Sequence, residues 1–415
     1  MFIGLRLRLA ACLLLLSTPV LAAKKVDLDY QLRFLPASAE AEVQLTLAKG
    51  ELVQSVKFYL PKAEHYVAFK ADGQWTEDGQ GHATWTPASG KASLSYRVRI
   101  NQLEPSGAYS ALITTDWALL RGDDLIPAAD VVLYDKVELI SRLQVELPEG
   151  WKSVETGWPR IGPNRFRIDN PAQSFDRPTG WILAGKIGTR RTRLGETDVT
   201  IAAPIGSGMR RMDALTLLTF VWPQAQAVFP RDPRKLLVVG AADPLWRGAL
   251  SGPNSLFMHA ERPLVSENGT SSLIHELVHV LSGIRDTDAS DWISEGIAEY
   301  YAIELLRRAG GMSEERYQQV RKKLTLWSSK VNNLRGEHAS GAVTARAVVL
   351  LQELDLEIRQ RSAGKHSLDD VAQGLMRMDK VNTENFIELS ESLIGKPSKV
   401  LDSKLLRKLK TTPAL

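Results

Sequence analysis

The sequence predicts an α+β protein in three parts: an antiparallel β-sandwich-like domain over 24–205, a mixed α/β domain over 206–312 and a helical region over 313–415. Three observations carry this. Val43, Leu45 and Leu47 alternate with Glu42, Gln44 and Thr46, and Leu94, Tyr96, Val98 and Ile100 alternate with Ser95, Arg97 and Arg99, the period of half-buried strands. Beyond Pro204 strand-like and helix-like segments mix, and from Thr270 onward helical patterns take over.

The first residues form an address rather than a fold element. Arg6 and Arg8 precede the apolar run Leu9 to Leu16, and Ser17 to Ala23 ends in small residues, so 1–23 is expected to be a secretory signal cleaved near Ala22 or Ala23. The mature chain is then expected to be exported, periplasmic or secreted, without a transmembrane anchor. Removing two Arg and no acid lowers the net charge from +4 to about +2, which gives no electrostatic case for a nucleic-acid partner. Cys12 is the one cysteine and lies in this segment. Its apolar stretch follows it instead of preceding it, the wrong order for a lipoprotein box. A mature chain with no cysteine excludes disulfides, cysteine nucleophiles and iron–sulfur ligation, and restricts metal ligands to His, Asp and Glu.

In the β-rich part, turns are expected at Asp72-Gly73, Asp78-Gly79, Ser89-Gly90, Pro148-Glu149-Gly150 and Gly162-Pro163-Asn164. Arg190, Arg191 and Arg193 lie between Gly188 and Gly195, the place of a solvated hairpin tip. Next come a helix over 212–229 despite Pro223, a buried strand over 235–239 and another over 255–259. Helices then open near Ser271, at Asp291 (stopped by Gly310-Gly311), at Ser313, near Val343 (stopped by Gly364), and at the cap candidates Ser367 and Thr383. Asn268-Gly269-Thr270 is a formal glycosylation sequon whose Gly suits the turn before a helix. The basic, amphipathic 404–410 stretch is expected to be a solvated terminal helix.

One constellation carries chemistry. In His275-Glu276-Leu277-Val278-His279 two imidazoles four residues apart share a helical face and can close on one metal ion, zinc by the donor type. Glu276 sits beside them without being a ligand, the place of a general base for a metal-activated water. A second helix carries Glu295 and Glu299 four apart, so Glu295 can complete a two-His, one-Glu set that leaves a coordination position open. Glu299, one turn on, is placed to accept a hydrogen bond from the outer nitrogen of a ligand histidine.

This pentad followed by Trp292-x-x-Glu295-Gly296-x-Ala298-x-Tyr300 resembles the gluzincin metallopeptidases, in particular the aminopeptidase N-like and glycyl-aminopeptidase families. The resemblance runs from about Met212 to the C-terminus, through Phe229-Pro230, the Gly248 to His259 stretch, 354–359 and 367–371. It implies a thermolysin-like zinc domain, one zinc ion held by His275, His279 and Glu295, Glu276 as base, and a peptide or protein substrate. Three departures stand out. The loop between His279 and Glu295 is short for those families. Ser251 falls where they place a glutamate for the substrate's amino terminus, leaving Ser251, Gly252 and Asn254 as candidate substrate contacts. Their transition-state tyrosine is missing near 344–347, so His338 is the favoured oxyanion donor, with Tyr317, Tyr300 and Tyr301 as alternatives. A peptidase therefore competes with a catalytically impaired binding protein on the same scaffold and with a zinc hydrolase of a non-peptide amide.

Overall fold

The computed structural model describes residues 24–60, 62–170, 175–287, 289–336 and 338–408, so the expected signal segment and Cys12 lie outside the described residues. Three sheets share the first core. A seven-stranded sheet contains Lys24–Leu35, Glu40–Leu47 and Ala92–Arg99, a five-stranded sheet is centred on Trp117–Arg121 and Trp181–Gly185, and a four-stranded sheet contains Val53–Tyr59 and His82–Pro87. Their inward positions, including Leu28, Tyr30, Phe58, Trp85, Leu120 and Ile182, form one apolar cluster. The period-two alternation of the sequence is the cause, since alternate side chains of the long strands enter it.

This part is not wholly antiparallel. Lys24–Leu35 pairs in parallel with Val137–Glu146. Alternation reports which face is buried, not strand direction, and more than enough chain separates the two for the crossover a parallel pair needs.

A fourth sheet holds the other half together, and it begins earlier than the change in sequence pattern. The hairpin Ile187–Leu194 and Thr197–Pro204, which alternation assigns to the β-rich part, pairs in parallel with Lys235–Val239. Ser255–Met258 and the antiparallel edge strand Ala249–Gly252 complete that sheet. Arg190, Arg191 and Arg193 lie along the first strand of this hairpin, not at its tip. Arg191 reaches the buried Glu155, 2.5 Å away, whose other oxygen is 3.1 Å from Lys235. Burial works against this carboxylate, yet Lys235 and Arg191 hold it below the usual range. The ion cluster thus ties the two halves together beside an apolar seam of Leu119, Trp181, Leu183, Val239 and Phe257.

Helices pack on this sheet and on one another. After a single turn at Gly122–Leu125 (α1), they are Arg211–Val228 (α2), Ser272–Ser282 (α3), Trp292–Arg308 (α4), Glu314–Trp327 (α5), Ala342–Arg361 (α6), Leu368–Leu375 (α7) and Thr383–Ile394 (α8). The caps act as expected at Ser271, Ser313 and Ser367, whose hydroxyls accept backbone N–H groups of the first turn. For α8 the cap is Asn382, one residue before the expected Thr383. The 404–410 stretch is not a solvated helix where it is described: Lys404–Leu406 is a single tight turn, and Leu405 and Leu406 are buried in the core. The apolar face of that segment packs on its own protein.

Close approach of α4 and α6 depends on a glycine. A Cβ on Gly296 would lie 2.8 Å from the Cβ of Ala347, so the two helices meet through small residues. Trp292, at the start of α4, is fully buried and donates from Nε1 to the Thr383 hydroxyl at 3.1 Å. These contacts fix the helix that carries Glu295.

Candidate metal centre

Helix α3 is amphipathic and its apolar face is core. Leu273, Ile274, Leu277, Val278 and Leu281 are buried, which turns His275 and His279 the other way. Ser271 starts the helix by accepting from the Ile274 N–H, and Gly283, in the left-handed conformation at φ 59°, ends it.

The two imidazoles and Glu295 converge. His275 Nε2 lies 3.2 Å from His279 Nε2 and 3.4 Å from Glu295 Oε2, and His279 Nε2 lies 3.3 Å from Glu295 Oε1. Three prospective ligand atoms, two nitrogens and one carboxylate oxygen, lie within 4.8 Å of one another. That donor set and geometry fit a zinc ion with one position left open. Glu299 Oε2 is 3.0 Å from Nδ1 of His275, the nitrogen facing away from this cluster, so it selects the tautomer that presents Nε2. Glu276, 8% exposed, lines the same cleft and is not part of the three-ligand cluster.

The electrostatics describe a site built for positive charge. Burial lowers the affinity of His275 for a proton, but Glu295 and Glu299 outweigh it and raise its pKa to about 10. Burial likewise opposes ionisation of Glu295, yet His275 and His279 hold it at about 2.

The cleft above these residues has a volume of about 340 Å³. Trp246, Gly248 and Ala249 line it from the edge-strand side, Thr270 and Ser272 from the start of α3, Leu324 and Trp327 from α5, and Ala339 to Gly341 with Thr344 and Ala345 from the entry to α6. Trp246 lies across Gly248, where a Cβ would meet the indole ring at 2.0 Å. A more apolar slot of about 320 Å³ adjoins it through Thr270, Glu299, Leu324 and Trp327.

The other candidate residues fall outside this cleft. Ser251 and Gly252 are on the edge strand beyond its lining, and Asn254 sits in the hairpin turn, packed against Gly157. His338 is exposed and precedes the lining residues Ala339 and Ser340. Tyr301 is fully buried and donates to Asp369, while Tyr300 and Tyr317 line a different cavity with Glu304 and Arg321. The hydroxyls that do line the cleft belong to Thr270, Ser272, Ser340 and Thr344. Arg262, Trp246 and Trp327 also line it, and sequence spacing could not single them out because each arrives from a different element.

Solved structures share this architecture. It is that of zinc metallopeptidases. More narrowly, the chain has the fold of the aminopeptidase N-like, M1 group. An aminopeptidase N family protein from Idiomarina loihiensis superposes with a TM-score of 0.64 at 16% identity, over 89% of this chain and 71% of that one. An M1 zinc metallopeptidase from Deinococcus radiodurans gives 0.61 at 16% identity, over 95% of each chain. A two-domain M1 zinc metallopeptidase variant bound to L-tryptophan gives 0.60 at 16% identity, over 95% of this chain and 96% of that one. No protein-family model and no curated protein matches the sequence.

Proposed function

We propose that this protein is an exported, zinc-dependent metallopeptidase that hydrolyses peptide bonds in the cleft above α3. The observation that carries the proposal is the convergence of His275, His279 and Glu295, with Glu299 behind His275 and Glu276 free beside the cluster. His275, His279 and Glu295 hold the ion. Zinc supplies, when bound, a Lewis acid that makes water acidic enough to attack at neutral pH and polarises the scissile carbonyl.

The chain's own residues do the rest. Glu276 takes the proton of the attacking water and delivers it to the departing amine. Glu299 keeps the His275 ring oriented. Thr344, 8% exposed at the first turn of α6, offers its hydroxyl to the developing oxyanion in place of the expected tyrosine or His338. Trp246 and Trp327 supply aromatic surface for substrate side chains. A scaffold used only for binding would keep no such unligated carboxylate buried beside a metal site, because its burial costs free energy without a hydrogen-bonding return.

Export rests on residues 1–23; among the described residues no helix is long and apolar enough to cross a membrane. The test of the metal assignment is His275→Ala: zinc content and peptide hydrolysis are both expected to fall to background. Unchanged zinc content and hydrolysis would overturn the assignment.

A further inference from the structure

The charge that lines the cleft away from the metal cluster is positive. Arg262 is the one lysine or arginine among the described lining residues, and its neighbour Arg247 is committed to Asp243 and Glu261. The hydrogen bonds of Arg262 go to neutral acceptors: Nη1 donates to the Arg247 carbonyl at 3.0 Å and Nη2 to the Ser272 hydroxyl at 2.8 Å. Among the described residues no carboxylate pairs with it. Ser272 in turn stands four residues before Glu276, so both project on one face of α3, about 6 Å apart along the axis. The guanidinium is thereby held one helical turn from the base.

Two of the three carboxylates of the cleft are engaged with histidine, and the peptidase proposal commits the third. Glu295 faces both histidines, Glu299 holds Nδ1 of His275 and Glu276 is the base. A substrate ammonium group would find no uncommitted acid here, and Ser251, where an acid is expected by resemblance, does not line the cleft. A substrate carboxylate would find Arg262, which can offer two parallel N–H donors to a planar oxygen pair.

Resting on the peptidase proposal, we infer that Arg262 recognises a carboxylate of the substrate within one or two residues of the scissile bond. Extended chain advances about 3.3 Å per residue, so a group at that separation spans the helical turn between Glu276 and Ser272. An acidic side chain and a free C-terminus present the same chemistry, and the test separates them.

The experiment measures binding, so that it reads independently of turnover. Zinc-loaded Glu276→Gln protein is titrated with a fluorescent, N-acetylated hexapeptide in three forms: neutral with a C-terminal amide, with one Glu replacing Gln at each position in turn, and with a free C-terminal carboxylate. One or both carboxylate forms are expected to bind about 10- to 100-fold more tightly, the range of a charge-assisted hydrogen bond. The form that gains identifies the source of the carboxylate. Arg262→Gln, placed in the same background, should erase the difference, and Arg262→Lys should retain part of it. Equal binding of all forms to the parent protein overturns the inference without any further variant, as does a preference that survives Arg262→Gln. If the carboxylate preference holds but wild-type protein cleaves neither these peptides nor their counterparts with a free amino terminus, the peptidase proposal fails, and carboxylate binding by Arg262 survives without its placement relative to a scissile bond. If wild-type protein cleaves them and no form binds preferentially, the peptidase proposal stands and this inference fails.

Discussion

Glu299 Oε2 lies 3.0 Å from Nδ1 of His275, on the side of the ring opposite Glu295. One histidine is thus gripped by two carboxylates from the same helix, spaced one turn apart, and only one of them can share an ion with it. This division of labour makes the first prediction. Glu299→Gln keeps the shape and a hydrogen-bonding oxygen but loses the charge. It should weaken zinc binding by about 10- to 100-fold. Competition against a fluorescent chelator measures it, and unchanged affinity would remove Glu299 from the metal site.

Proton linkage gives the second prediction. An unfolded histidine titrates near 6.5, whereas His275 in the folded, metal-free protein is raised to about 10 by Glu295 and Glu299 against the opposing effect of burial. That interaction stabilises the metal-free fold fully below the unfolded value and is lost as pH rises through about 10. The melting temperature of chelator-treated protein should therefore fall between neutral pH and about 10, more than it does for His275→Gln. A zinc ligand must be deprotonated, so metal uptake near neutral pH should also release a proton, read by calorimetry in buffers of different ionisation heat. No proton release would contradict the charge balance described for the site.

The oxyanion assignment separates two residues six apart. Thr344→Val removes a cleft-facing hydroxyl at nearly constant volume and should lower kcat by about 10²- to 10³-fold, with a smaller effect on KM. His338→Gln should leave kcat unchanged, since the ring is exposed and outside the cleft lining. The reverse pattern would restore His338 as the donor.

Helix packing at Gly296 predicts a stability effect with an indirect cost to the site. Gly296→Val inserts a branched side chain where even a Cβ would lie 2.8 Å from Ala347. The expected loss is about 1–3 kcal/mol of folding free energy. Because Gly296 follows Glu295 directly, zinc affinity should fall with it. Denaturant titration and chelator competition on the same preparation check both, and an unaltered midpoint would show that α4 and α6 are not held at this separation.

The features legible in the sequence are those set by local periodicity. Ser271, Ser313 and Ser367 announce their helices because a hydroxyl before an apolar period satisfies otherwise unpaired N–H groups, and the His275–His279 and Glu295–Glu299 spacings announce shared faces for the same geometric reason. Properties of the assembled chain were not legible. Alternation in Ile187–Pro204 is identical whether its partner is an upstream strand or Lys235–Val239, so the sheet it joins cannot be read from it. Leu405 and Leu406 look like one face of a free amphipathic helix until the core that receives them is known. Arg262 reaches the site through a bond to Ser272, ten residues away, that no local pattern encodes.

The most direct measurement compares wild type with Glu276→Gln at equal zinc content, each incubated with a diverse peptide pool and read by mass spectrometry. The account predicts that both bind zinc and that only wild type makes products, with the variant's rate lower by about 10²- to 10⁴-fold. Equal cleavage by both proteins, or none by a wild type that holds its zinc, would contradict it.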